Sequence, residues 1–171
     1  LCTDKSFLPS DADLLFYASF DETADADMAA GGKKGAIAKD AALVPGVRGK
    51  ALSLVPKKCD YIQWPSKGSF NASAGTISCW MRVHCPFIWP SNCAISVQRL
   101  YFSPYTLGTT NYYFHAPLYP TQELFAPWQW VHAAWVWNRK AAAFYVNGQK
   151  VYDVPSNPNF PPPSEDAIGL R

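Results

Sequence analysis

Charge is scarce in this sequence. Only 16% of the residues are Asp, Glu, Lys or Arg, and the formal net charge is +2. No basic run exceeds the pairs Lys33-Lys34 and Lys57-Lys58, so a nucleic-acid or membrane-surface partner finds no electrostatic footprint. No apolar stretch approaches the about 18 residues that a bilayer-spanning helix needs. Helical periodicity and internal repeats are also lacking, and fifteen prolines interrupt the chain too often for long helices. The five cysteines (Cys2, Cys59, Cys79, Cys85, Cys93) lack the short paired gaps of a zinc knuckle. Cys85 and Cys93 bracket a loop that a disulfide could clamp, or they are free thiols. The odd count leaves at least one thiol unpaired within the chain.

Acid–base machinery is thin as well. There are three glutamates, Glu22, Glu123 and Glu165, far apart in sequence. A retaining glycosidase needs two carboxylates about 5–5.5 Å apart, and alternation along one strand does not supply them here. No Gly-x-Ser-x-Gly elbow marks an acyl-transfer serine, and Gly31-Gly32-Lys33-Lys34-Gly35 lacks the spacing of a phosphate loop. His84, His115 and His132 have no His or carboxylate at ligand spacing, and His132, among Trp130, Ala134 and Val136, reads as a core histidine. No catalytic residue is therefore nominated, and the chain is expected not to be an enzyme.

What the sequence holds is aromatic and apolar mass. Hydrophobic residues make up 49%, and seven Trp, nine Tyr and ten Phe fit a pleated, half-buried surface. The 171 residues suit a single domain, 1–171, with a lead segment over 1–12 and a stiff Pro-rich connection over 155–163. Strands are predicted at 14–20, 50–55, 60–64, 75–83 and 93–102, with a long loop after 20. Over Gly75–Val83, Ile77, Cys79 and Met81 alternate with Ser78, Trp80 and Arg82, the period of a sandwich strand. Strands at 128–137, 141–146 and 149–154 follow, joined by turns at Asn138-Arg139-Lys140 and at Asn147-Gly148, a type I′ pair. Regular strand spacing with turns between predicts an all-β, two-sheet antiparallel β-sandwich.

The order of several segments carries a resemblance. Leu15-Phe16-Tyr17-Ala18-Ser19-Phe20-Asp21-Glu22 is followed by Leu43-Val44-Pro45-Gly46-Val47-Arg48-Gly49-Lys50-Ala51-Leu52. Gly75-Thr76-Ile77-Ser78-Cys79-Trp80, Trp130-Val131-His132-Ala133-Ala134 and Tyr145-Val146-Asn147-Gly148 complete it. From about Leu14 to Gly169 the chain resembles the laminin-G-like, concanavalin A-like jelly-roll domains that bacteria attach to extracellular enzymes and surface proteins. Ala167-Ile168-Gly169-Leu170 resembles the family's Ile-Gly segment, after which the resemblance implies a further, final strand that is absent here. It also implies a structural calcium in the acidic loop, where Asp21, Asp25 and Asp27 offer hard oxygen ligands. Asp residues capping their own turns are the alternative.

The fold hosts many functions, so function must come from a site. Residues 87–128 are the richest in aromatics. A sugar presents apolar C–H faces and a polar edge, and is held by a flat aromatic with polar groups at its rim. Trp89, Tyr101, Tyr105, Tyr113 and Tyr119, with Arg99 and Asn111, form the candidate carbohydrate-binding set. The expectation is a non-catalytic, exported module that binds a polysaccharide or glycan. The alternatives are a structural or protein-interaction domain docked on a neighbour, and a polysaccharide-cleaving enzyme.

Overall fold

The computed structural model describes residues 13–37, 41–54, 62–65, 67–71, 73–82, 95–97, 100–102, 106–109, 115–117, 126–156 and 167–170. Every element among them is a strand, and every pairing is antiparallel. The smaller main sheet comprises β7 (Gly75–Arg82), β12 (Trp130–Trp137), β13 (Ala141–Val146) and β14 (Gln149–Pro155), in the order β14-β13-β12-β7. The larger contains β3 (Ala36–Ile37), β6 (Ile62–Pro65), β8 (Ile95–Val97), β9 (Leu100–Phe102), β10 (Thr106–Thr109), β11 (His115–Pro117) and β15 (Ala167–Leu170). Its order is β11-β10-β9-β8-β15-β6-β3. Two ribbons complete the set, β1 (Phe16–Tyr17) with β2 (Met28–Ala29), and β4 (Ala42–Pro45) with β5 (Lys50–Ser53). This is the antiparallel two-sheet sandwich that the strand spacing predicts.

Alternation decides which face each strand buries. In β12, Val131, Ala133, Trp135 and Trp137 are buried while Trp130, His132, Ala134 and Val136 face outward. In β13, Ala142, Phe144 and Val146 are buried. Trp135 stacks on the cross-strand Phe144 with ring centroids 5.1 Å apart, and both are fully shielded from solvent. Trp137 stacks on Phe70 at 5.3 Å, and its indole N–H donates to the Asn71 carbonyl at 3.1 Å. A second cluster gathers Ala24, Ala26, Ile62 and Trp64, with Phe16, Phe20 and Leu52 packed against it.

Several expected strands end earlier than the apolar runs suggest, each for a visible reason. The 14–20 run yields only Phe16–Tyr17, because the Ser19 amide donates to the Asp27 carboxylate at 2.6 Å and Phe20 turns to a φ of 62°. The 93–102 run is two short antiparallel strands, β8 and β9, rather than one. The run from 128 starts at Trp130, because the Gln129 amide bonds the Ala126 carbonyl at 3.2 Å and closes a turn. The long acidic loop carries two short strands, β2 and β3. Ala167–Leu170 is interior to the large sheet, paired on one side with β6 and on the other with β8.

The two turns of the C-terminal meander form as the residue types require. Asn138 Oδ1 accepts from the amides of Lys140 and Ala141 at 2.7 and 3.0 Å. Asn147 and Gly148 both take positive φ, 50° and 82°, matching the twist that an antiparallel hairpin needs.

Cys79 is a free thiol on the inward side of β7, opposite the fully buried Ala133. Burial disfavours the thiolate and pushes its pKa up to about 12. A raised native pKa contributes stability that is whole below the ordinary thiol pKa and is lost as pH climbs toward 12. Iodoacetamide at pH 8 is therefore expected to leave Cys79 unlabelled in the native protein and to label it in guanidinium, as peptide mapping would read; labelling at equal rates in both would contradict this burial. Trp135→Ala is expected to cost about 3–5 kcal/mol in chemical denaturation, since no neighbour can fill the space left opposite Phe144.

Candidate functional site

The acidic loop is the first cluster the sequence singles out, and its carboxylates are spent on the backbone. Asp21 Oδ1 accepts from the Lys50 amide at 2.9 Å, Asp25 Oδ1 from the Gly35 amide at 2.9 Å, and Asp27 Oδ2 from the Ser19 amide. Gly49, at a φ of 55°, brings its backbone so close to the Asp21 carboxylate that a Cβ would collide with it. The three acids thus tie the loop to three different backbone segments. Among the described residues no three His, Cys, Asp or Glu side chains gather as a metal ion would require. Nearby, desolvation and then the charges of Asp27 and Asp21 raise the Tyr17 pKa, against the opposing Arg48.

Of the carbohydrate-binding set, Trp89, Arg99, Tyr105, Asn111, Tyr113 and Tyr119 lie outside the described residues. Tyr101 is in β9, where its backbone pairs with Ser96 on one side and Gly108 on the other. From the same aromatic stretch, Trp128 is described and is 64% exposed. It occupies the third position of the Ala126–Gln129 turn with a φ of 68°, behind Pro127. That place normally goes to glycine, and holding a Trp there costs on the order of 1 kcal/mol.

The strongest concentration of exposed recognition chemistry lies elsewhere, on the outward face of the four-stranded sheet. The register places Arg82 opposite Trp130, Trp80 opposite His132, and Ser78 opposite Ala134. Tyr145 continues the last row beyond Ala134, and Ala143 stands beside Val136. Trp80 is 52% exposed although it sits mid-strand. Its ring meets the His132 imidazole at 5.3 Å with the planes 57° apart. The Ser78 hydroxyl and His132 Nε2 are 2.8 Å apart, diagonally across the strands. The Arg82 guanidinium lies over the Trp130 ring at 5.0 Å from its centroid. At the far edge, Lys150 and Asp153 form an ion pair at 3.3 Å. An odd spacing puts both on one side because the pairing of β13 with β14 slips between Phe144 and Tyr145.

His132 is held by its own backbone. Its carbonyl accepts from the Asn147 amide at 2.8 Å, and its amide donates to Asn147 Oδ1 at 3.0 Å. The Asn147 side chain thereby continues the ladder one step past the last regular pair, Ala133 with Val146. The turn asparagine serves the φ > 0 conformation and the placement of His132 at once.

This corrects the expectation for His132, which is not a core residue but half-exposed beside Trp80. The core reading failed because Ala134 and Val136, its apolar company in sequence, share the outward face. The signal that could have found the site was in the β7 alternation, where Ser78, Trp80 and Arg82 fall on one side. Chemically, a serine hydroxyl on an imidazole nitrogen could be a nucleophile–base pair. No carboxylate orients this imidazole among the described contacts, and the register places one described carboxylate, Asp153, on the face. Two would be needed for glycoside hydrolysis. What the described residues bring together is an exposed indole beside an imidazole, a hydroxyl and a guanidinium.

Removing Asn147 Oδ1 should loosen this clamp. Asn147→Gly keeps a residue that tolerates positive φ and is expected to cost about 0.5–1.5 kcal/mol for the lost hydrogen bond. Asn147→Ala adds roughly 1 kcal/mol of backbone strain. Denaturation midpoints in which the two variants are equal would remove the φ argument, and an unchanged Asn147→Gly would remove the clamp.

Three comparisons bear on the chain. A family model described as the concanavalin A-like lectin/glucanases superfamily matches residues 57–170. Among solved structures, the chain is similar to domain 4 of AbnA, a GH43 extracellular arabinanase from Geobacillus stearothermophilus, solved in complex with arabinotriose. The TM-score is 0.61 at 18% identity, covering 92% of this chain and 82% of that one, a likeness of fold. No curated protein matches.

Proposed function

Because the chain belongs to the concanavalin A-like lectin/glucanases superfamily, we propose that it is a non-catalytic, exported glycan-binding domain. Its binding surface is the outward face of β7, β12 and β13. The observation that carries this is Trp80, a half-exposed indole fixed by the cross-strand His132 and flanked by the Ser78 hydroxyl. A pyranose or furanose lying on that indole would turn its hydroxyl edge toward Ser78 and the imidazole. Ala134 and Ala143 keep the centre of the face low, so a ring can approach without displacing a large side chain. The stack costs little ordering entropy, because the register of eight residue pairs between β7 and β12 already holds the platform.

The extracellular arabinanase whose domain 4 shares the fold supports an exported, sugar-related role. The described part of the chain has no helix long and apolar enough to cross a membrane. The aromatic set at Trp89, Arg99, Tyr101, Tyr105, Asn111, Tyr113 and Tyr119 belongs to the proposal as a second candidate binding set.

The test is retention on a panel of insoluble and soluble polysaccharides, with arabinan among them. The native chain should be held by at least one class. Trp80→Ala should bind that glycan about tenfold more weakly or worse, an aromatic contact contributing on the order of 1 kcal/mol beyond its area. Its melting temperature should stay close to that of the native chain, since half of the side chain is already in water. A folded chain retained on no glycan would refute the reading.

A further inference from the structure

Arg82 stands out on the outward face. It is half-buried at the end of β7, and the Trp130 ring covers its guanidinium at 5.0 Å. Its Nε is shut off from solvent and has no hydrogen-bond partner. Among the described residues no acid pairs with it, although the more exposed Lys150 has found Asp153. A buried, unmatched guanidinium N–H costs about 1–3 kcal/mol, more when charged. Arginine is the residue whose planar fork matches a carboxylate or a sulfate in two parallel hydrogen bonds. With Nε shut off from solvent, a ligand would meet the terminal N–H groups of this half-buried side chain, which the Trp130 ring holds in place.

The position matters as much as the charge. Arg82 and Trp80 are two residues apart on one face of one strand. Two strand residues span roughly 6.6–6.8 Å, about the width of a sugar ring with one exocyclic group. A ring seated on Trp80 therefore brings an acidic substituent within reach of Arg82, while its other edge meets His132 and Ser78.

We infer that the face selects anionic glycans, with the acidic group of a uronate or sulfated sugar held by Arg82 while its ring stacks on Trp80. The inference rests on the glycan-binding reading of this face and names its ligand class. A carboxylate and a sulfate offer the fork the same paired oxygens, so the source is distinguished by experiment.

Binding is measured by affinity electrophoresis on two matched pairs: polygalacturonate against its fully methyl-esterified form, and dextran sulfate against dextran. The native chain should prefer the acidic member of at least one pair by about tenfold or more. The carboxylate pair showing it identifies uronates, and the sulfate pair identifies sulfated sugars. Arg82→Gln should erase the preference, bringing affinity for the acidic member down to that for the neutral one. Arg82→Lys, which keeps the charge and guards against a folding artefact, should retain only part of the preference. Lys67→Gln, an equal loss of charge at an exposed turn, should change nothing. Equal binding to both members of each pair, or an equal loss in Lys67→Gln, would overturn the inference while leaving glycan binding in place. Binding to none of these four by a chain that another panel glycan does retain would overturn the inference alone, and binding neither to these four nor to any panel glycan would overturn both.

Discussion

The eight-pair register between β7 and β12 is the constraint on which the rest depends. Because side chains alternate, that single pairing sorts sixteen residues onto two faces at once. One side receives Ile77, Cys79, Met81, Val131, Ala133, Trp135 and Trp137, and becomes core. The other receives Ser78, Trp80, Arg82, Trp130, His132 and Ala134, and becomes a surface. A slip of β12 by one residue against β7 would bury His132 and expose Trp135. The size of Trp135 and its stack on Phe144 make that slip costly, so the core fixes which residues the outward face presents.

The same economy runs through the turns. Asn147 closes a hairpin and also extends the ladder onto His132, so a turn residue determines where the imidazole stands. Asp21, Asp25 and Asp27 fasten a loop that would otherwise have few backbone partners. Hard oxygen ligands in a row suggest a cation to a reader of sequence. Here each acid satisfies a separate amide.

Trp128 and Trp80 show two ways of presenting an indole to solvent. Trp80 is held on a strand by cross-strand neighbours, at no backbone cost. Trp128 is held in a left-handed turn position at a cost, behind a proline that fixes the preceding φ. Backbone strain of that kind concentrates where a side chain must be displayed. Both indoles lie toward the end of the small sheet where Arg82 faces Trp130, since β12 begins two residues after Trp128.

Sequence alone determined the class of fold, through strand-length alternation at 75–83, 128–137, 141–146 and 149–154 and through the Asn147-Gly148 turn. These signals are local, because period-2 patterning and positive-φ turns depend on residues close in the chain. It also placed the Ser78, Trp80 and Arg82 set on one side of a strand. What it could not decide was which side faced water, since Ile77, Cys79 and Met81 on one side and Trp80 on the other are both apolar enough to be core. Tertiary structure decided that, by setting Trp135 and Phe144 against each other on the inner side. It decided equally that His132, fifty-four residues from Ser78, lies within a hydrogen bond of it. Such a pairing is written in the register of two distant strands, and no run of neighbouring residues carries it.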